Sequence, residues 1–310
     1  MKISFVVPVL NESQSIEQLY EEIITQVKDY KYELIFVDDG STDRSFGILH
    51  KLAENDPFVK VVKLRRNFGK AAALQTGFTH ASGDIVFTMD SDLQDNPREI
   101  STFLEKLKEG YDLVSGWKKK RRDPFGKRVA SRFFNFITSL FFKIKLHDFN
   151  CGFKAYRLQV VKELDIYGEL HRYIPVLAAA KGFRVTEIEV EHRLRPYGKS
   201  KYGKERFFRG FFDLLTVKLI TNYIRSPLYL FGGLGFFLTI AGVLIGLYLS
   251  YLKVFGGMPL YNRPLLFMSI LLIMVGLQFF SIGLIGELIV NQNRKQVKEE
   301  NISIERTINI

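Results

Sequence analysis

Asp90-Ser91-Asp92 closes a short apolar run, Asp84 to Met89. Two carboxylates two positions apart, on a chain just leaving a strand, can turn toward one point. Hard oxygen donors of this kind suit Mg2+ or Mn2+ shared with substrate phosphates, and Gln94 could add a third oxygen. Asp-x-Asp triplets are common in solvated loops, so the weight here comes from the position at a strand end. Three more polar clusters also follow apolar runs: Asn11-Glu12, Asp38-Asp39-Gly40-Ser41 and Arg66-Asn67-Phe68-Gly69-Lys70. An acid at Asp39 could accept from the base or ribose of a nucleotide. Equally, Ser41, Thr42 or Asp43 could simply cap the next helix. Asn67 to Lys70 opens a helix, whose free N–H groups favour anions. Neither a Gly-x-Gly-x-x-Gly turn nor a P-loop occurs, which argues against NAD or a hydrolysed ATP.

The elements that must position these clusters alternate. Apolar runs at 3–9, 34–37, 59–64, 84–89 and 112–115 read as strands. Between them, helical spacing runs over 15–27, 43–54, 70–81 and 97–109. Short, fully apolar strands alternating with helices predict an α/β domain with a mostly parallel sheet covered on both faces. Ligands then sit beyond the carboxyl ends of the strands, where all four clusters fall.

Beyond residue 117 the chain turns basic and aromatic. Lys118 to Arg132 holds eight Lys/Arg and one acid, and His192 to Arg209 holds seven and one. Each runs into a Phe-rich amphipathic stripe, read as a helix lying in a membrane interface (126–146 and 204–225), with covering of the sheet edge as the alternative. No charged residue occurs from 226 to 252 or from 264 to 286, stretches of 27 and 23 residues. A bilayer span needs about 20 apolar residues. Spans at 227–252 and 264–286 would make a hairpin over 226–290, followed by a tail, 291–310. Arg225, Arg294, Lys295 and Lys298 flank one side against Lys253 and Arg263 in the loop, so the termini and the basic domain (1–203) are expected on the cytoplasmic face of a cell membrane.

Overall charge is +11, from 44 Lys+Arg against 33 Asp+Glu. Its clustering beside spans and Phe-rich helices points to membrane lipids and not to nucleic acid. Disorder is excluded by 28 Phe and 14 Tyr. A lone cysteine, Cys151, excludes an internal disulfide and Cys-based zinc or iron–sulfur sites, and reads as a packing residue. The start of the chain is not read as a secretory signal, because its apolar run ends by Asn11.

Taken in order, Pro8-Val9-Leu10-Asn11-Glu12, Val37-Asp38-Asp39-Gly40-Ser41-Thr42-Asp43, Arg66-Asn67-Phe68-Gly69-Lys70 and Met89-Asp90-Ser91-Asp92-Leu93-Gln94-Asp95 with Pro97 resemble family 2 glycosyltransferases. The subgroup they are similar to is that of dolichyl-phosphate mannose synthases and bactoprenol (undecaprenyl-phosphate) glucosyltransferases. The loop Arg195-Pro196-Tyr197-Gly198-Lys199-Ser200-Lys201 and the two-span hairpin also fit it, so the resemblance covers residues 1–290. It implies a GT-A fold and inverting transfer from a nucleotide sugar to a polyprenyl phosphate. Asp39 would contact the base, Pro8 and Glu12 would line the nucleoside pocket, and Asp90, Asp92 and Gln94 would hold the metal. UDP-sugars are the preferred donors, with GDP-mannose second, and relatives of this shape assemble as tetramers. The Gln-x-x-Arg-Trp signature of processive synthases is absent, since the only tryptophan is Trp117.

An ionised lipid phosphate needs no general base; it needs cations that hold two anionic substrates together. Lys70, Arg121, Arg122, Arg128, Arg132, Arg195, Lys199 and Lys201, with Ser200, are the candidates. Lipid headgroups compete as ligands for the Arg121–Arg132 cluster. Gly152 stands where some relatives carry an acid before the Phe, and Asp148 is the candidate substitute. His192 could edge the site or be structural. Two other functions stay open: transfer to a saccharide or protein hydroxyl, which requires a base, and a non-catalytic membrane scaffold.

Overall fold

The computed structural model describes residues 1–119, 125–197, 226–257, 259 and 264–296, with 214, 216–219 and 221; of 125–133 and 291–296 only the backbone is described. Residues 1–217 and 218–310 form two compact units.

In the first unit, β1 (Lys2–Val9), β2 (Lys31–Asp38), β3 (Val59–Lys63), β4 (Ile85–Thr88), β5 (Leu113–Trp117), β6 (Lys154–Arg157) and β7 (Val185–Glu189) form one sheet in the order β3-β2-β1-β4-β6-β5-β7. Only β6 runs antiparallel, pairing with β4 and β5, so the carboxyl ends of the other six share one rim. Helices α1 (Ile16–Gln26), α2 (Ser45–Asn55), α3 (Lys70–His80) and α4 (Ile100–Lys108) connect the parallel strands. The chain continues through α5 (Phe125–Phe142), α6 (Leu158–Glu163) and α7 (Ile174–Ala180). This is the mostly parallel α/β architecture that the alternating runs predict, with two additions. The reversed β6 lies within the 148–157 segment, and β7 (Val-Thr-Glu-Ile-Glu) is a half-polar edge strand without a continuous apolar run.

Strand alternation explains the two cores. Phe5, Val7, Phe36 and Phe87 face Ile16, Leu19 and Ile23 of α1, Leu49 of α2 and Phe103 of α4. Val6, Ile35, Val37 and Val86 face Ala73, Leu74 and Phe78 of α3. Each large side chain so buried contributes about 1.5–3 kcal/mol. A slip of one residue would exchange the two faces, so register along the whole rim is fixed. At the opposite rim Glu33, 2% exposed, ties strands together: its carboxylate accepts from Lys2 Nζ (2.8 Å), Lys60 Nζ (2.7 Å), Ser4 Oγ (2.5 Å) and the Ser82 amide (2.8 Å).

The second unit contains α8 (Pro227–Gly256) and α9 (Pro264–Gln296), packed along each other. Both are long and apolar enough to cross a membrane. Their backbones touch: a Cβ on Gly235 would lie 2.5 Å from the Gly276 carbonyl, and Ser269 Oγ donates to the Gly242 carbonyl at 2.8 Å. Small residues at the crossing are what permits this approach. Phe236, Phe237, Phe267 and Leu271 point outward, 59–72% exposed.

Candidate active site

The strand order places the four polar clusters side by side. Asn11 and Glu12 follow β1, Asp38 ends β2 with Asp39 just beyond it, Arg66 to Lys70 follow β3, and Asp90 and Asp92 follow β4. The β2 turn is locked first. Asp38 accepts from the Ser41 amide at 3.0 Å, and Asn11 Oδ1 accepts from the Thr42 amide at 2.8 Å. Gly40 has φ +74, and a Cβ there would lie 2.5 Å from the Arg66 backbone. Only glycine allows the β2 and β3 loops to meet so closely. Across that contact Asp39 accepts from the amides of Phe68 (2.7 Å) and Gly69 (3.0 Å). Burial outweighs these bonds, and with Asp38 adjacent it raises the Asp39 carboxyl above its ordinary range. The expected caps were Ser41, Thr42 or Asp43; the structure starts α2 at Ser45, whose amide donates to Asp43 at 2.9 Å.

The Asp90–Asp95 turn is anchored at its centre. Ser91 Oγ donates to the Pro8 carbonyl at 3.0 Å and Ser15 Oγ to the Ser91 carbonyl at 2.6 Å. Leu93 has φ +62, a strained value for a branched side chain, held by burial in the core at 2% exposure. With Ser91 and Leu93 turned inward, Asp90, Asp92 and Gln94 remain partly open. Asp95 is buried against Lys118 Nζ at 2.8 Å and bridges to His192 in antiparallel fashion. That bridge, with the Arg193 amide donating to the Gln94 carbonyl at 3.0 Å, draws 192–197 across the turn. Arg195 thereby pairs with Glu12 and stands 3.7 Å from the Asp92 carboxylate.

Four basic groups surround the acid pair. Lys70 pairs with Asp90, Lys118 with Asp95 and Arg195 with Asp92. Lys154 is 3% exposed and donates to the Cys151 carbonyl. Burial pushes the Asp90 carboxyl up, but Lys70 and Lys118 overcome it and hold Asp90 down to about 2. Asp92 lies the other way: burial, then Asp90 and Asp95, push it up to about 6. Burial opposes the charge of Lys118, yet Asp95 and Asp90 hold it well above its ordinary range. Lys154 is lowered by burial.

Among the described residues no three His, Cys, Asp or Glu side chains gather as a metal cluster. Two carboxylates and an amide nonetheless fit Mg2+ or Mn2+, which complete their shell with substrate phosphates and water. Burial, with Asp90 and Asp95 beside it, raises the Asp92 carboxyl, a cost that a bound cation would relieve.

The candidates Pro8, Glu12, Asp39, Lys70, Asp90, Asp92, Gln94 and Arg195 thus lie on one rim. Asp148 is 1% exposed, accepts from the Asn150 amide at 3.2 Å, and lies near enough to the buried Lys154 to act on its charge. Gly152 is the residue that reaches the rim. A Cβ on it would lie 2.5 Å from Asp90 Oδ2, so an acid at this position would have to push the Asp90 carboxylate aside. His192 is 7% exposed beside the turn, and His147 stacks on Trp117 and pairs with Glu187. Cys151 is 2% exposed, its thiol pushed up to about 12 by burial, in keeping with a packing role. Arg121, Arg122, Lys199, Ser200 and Lys201 lie outside the described residues, as do the side chains of Arg128 and Arg132 on α5 and most of 204–225.

Sequence reasoning overlooked Lys118, Lys154 and His171 as site residues. Lys70, Thr88, Asn150, Lys154, Tyr156 and His171 line a small chamber behind Asp90. His171, 8% exposed, is held neutral by burial and by Lys70 and Arg172. Lys118 carried a usable signal, because it follows a strand whose carboxyl end shares the rim. Lys154 carried none, since it lies on the reversed strand.

The sequence pattern described as Glycosyl transferase family 2 matches residues 4–165. The chain belongs to this family. It is 36% identical over 296 residues to the dodecaprenyl-phosphate galacturonate synthase of Rhizobium johnstonii, covering 93% of this chain and 88% of that protein. It is 36% identical over 292 residues to the undecaprenyl-phosphate 4-deoxy-4-formamido-L-arabinose transferase of Proteus mirabilis, with 93% and 88% covered. Glucosyl-3-phosphoglycerate synthase of Mycobacterium tuberculosis, solved with Mn2+, UDP and phosphoglyceric acid, superposes with a TM-score of 0.54 at 21% identity. That match covers 71% of this chain and 78% of that one, and it shows the GT-A-like fold. The family 2 protein is therefore a glycosyltransferase, with its acid pair where the strand order brings four loops together.

Proposed function

We propose that this family 2 enzyme transfers a sugar, with inversion, from a UDP-sugar to a polyprenyl phosphate at the cytoplasmic face of a membrane. The observation that carries the proposal is the pairing of Asp90 and Asp92 with Lys70 and Arg195 on one rim. The same chain carries two span-length helices and matches polyprenyl-phosphate sugar transferases over 93% of its length. Asp90, Asp92 and Gln94 would hold Mg2+ or Mn2+, which supplies positive charge to the departing diphosphate.

Asp39 ties the β2 and β3 loops together and, with Pro8 and Glu12, walls the nucleoside end. Lys70 and Arg195 hold diphosphate oxygens. Arg128, Lys199, Ser200 and Lys201 are proposed as further phosphate ligands. An acceptor phosphate oxygen attacks the anomeric carbon from the face opposite the nucleotide. The new bond is C1–O–P of the lipid phosphate, the broken bond is C1–O of the diphosphate, and UDP leaves with its electron pair. No proton moves, so the absence of a carboxylic acid at Gly152 is chemically sufficient and Asp148 need not act as a base.

Helix α5 supports membrane contact by the first unit. Phe136 (65% exposed), Leu140 (63%) and Phe141 (41%) lie on one exposed stretch, and its first turns carry Lys127, Arg128 and Arg132. A basic start and an apolar outer face suit a headgroup boundary.

Purified protein incubated with undecaprenyl phosphate, Mg2+ and a panel of UDP-sugars should yield a lipid-linked monosaccharide from at least one donor. Asp92→Asn should lower turnover at least about 1,000-fold while its thermal midpoint stays at or above that of the wild type, as a buried acid beside two others is costly to keep ionised. Full activity in this variant would overturn the site.

A further inference from the structure

The two carboxylates that would take a divalent ion are each already held by a cation that would take the donor's diphosphate. Lys70 Nζ pairs with Asp90 Oδ1, and Arg195 Nη1 stands 3.7 Å from Asp92 Oδ2 while its Nη2 pairs with Glu12. All four groups are largely sheltered: the side chains of Lys70 and Arg195 are 21% and 19% exposed, those of Asp90 and Asp92 32% and 16%. Both cations are fixed from behind. Lys70 is the first residue of α3, entered through the Gly69 that Asp39 pins, and Arg195 Nε donates to the Tyr197 carbonyl at 2.8 Å.

We infer that Lys70 and Arg195 form a latch that makes metal binding conditional on the donor. The inference rests on the metal and UDP-sugar reading given above and adds an order to it. In the free enzyme the carboxylates are neutralised by the chain itself, so an ion arriving alone must displace two sheltered ion pairs. A diphosphate offers Lys70 and Arg195 better partners, since its oxygens carry more charge and accept bidentately from the guanidinium. As these cations move to the diphosphate, Asp90 and Asp92 regain the charge that attracts the metal. Each ligand thus clears the other's site, and by linkage the enhancement is reciprocal: UDP tightens the metal by the factor by which the metal tightens UDP. The latch also keeps the acid pair from holding a metal unproductively before a sugar is present.

Titration calorimetry and Mn2+ spin resonance on full-length enzyme in detergent at pH 8 test this without turnover, using Mn2+ alone, UDP alone and both together. The wild type should bind Mn2+ weakly alone and about tenfold or more tightly with UDP. Lys70→Met and Arg195→Met, which keep side-chain bulk and remove charge, should each bind Mn2+ alone about tenfold more tightly than the wild type, and the UDP enhancement should shrink in both. Circular dichroism confirms that each variant is folded, and two separate variants guard against the loss of one. Unchanged or weaker Mn2+ binding in both folded variants would overturn the latch while leaving the proposed function standing. Failure of the wild type to bind Mn2+ even with UDP would overturn both.

Discussion

At Gly152 the backbone presses against the acid pair. Its Cα approaches the Asp90 carboxylate so closely that any Cβ would collide with it. Gly152→Asp should therefore abolish Mn2+ binding in the presence of UDP and lower turnover at least about 100-fold, with a new carboxylate pressed against Asp90. Gly152→Ala, which adds only a methyl, should also be impaired, through sterics alone. Wild-type binding in both variants, measured by calorimetry, would contradict the placement of Asp90. Single residues of this rim differ in how legible they were. Asp90, Asp92, Glu12 and Asp39 were readable, because each follows an apolar run and parallel strands end together. The pairing of Arg195 with Glu12, 183 positions apart, was not, nor was the approach of Gly152 to Asp90. Both depend on the path of 148–157 and 192–197 over the rim, which no local pattern encodes.

The strands carry function at one end and stability at the other. Glu33 of β2 joins Lys2 of β1, Lys60 of β3 and the turn at Ser82. Burial acts to raise its carboxyl, but bonds from Lys2, Lys60 and Ser4 dominate and hold it far below the ordinary 4.5. A carboxyl depressed in the fold contributes stability in full above its unfolded value and loses it as pH falls toward the folded value. Glu33→Gln should thus destabilise by about 1–2 kcal/mol at pH 7, discounted for half-exposed lysine partners. In urea unfolding the gap to the wild type should narrow steadily below pH 4.5; a gap independent of pH would refute this role. Among the elements, β1 to β5 were legible from their apolar runs. A strand within 148–157 was implied by the resemblance, but the antiparallel direction of β6 and the edge strand β7 were not, because Lys-Ala-Tyr-Arg is too short and Val-Thr-Glu-Ile-Glu too polar to declare a direction or a neighbour.

Taken whole, the molecule joins a soluble-type α/β unit to a hairpin whose apolar side chains face outward. If α8 and α9 cross a bilayer, the segment between them lies opposite the chain ends. Cys151 is buried and its thiol is poorly ionised, so it gives no background to surface labelling. In intact cells a membrane-impermeant maleimide should label Asn262→Cys and leave Ser303→Cys untouched until the membrane is opened. The reverse pattern would invert the orientation.

The central claim is that a sugar, and not a sugar phosphate, passes from UDP to an acceptor that is already an anion. The two leave different products, so mass spectrometry of one reaction mixture separates them. With undecaprenyl phosphate and an accepted UDP-sugar, glycosyl transfer gives a lipid monophosphate sugar and one equivalent of UDP. Release of UMP with a lipid diphosphate sugar would contradict the account, because phosphorus and not the anomeric carbon would then be the centre attacked.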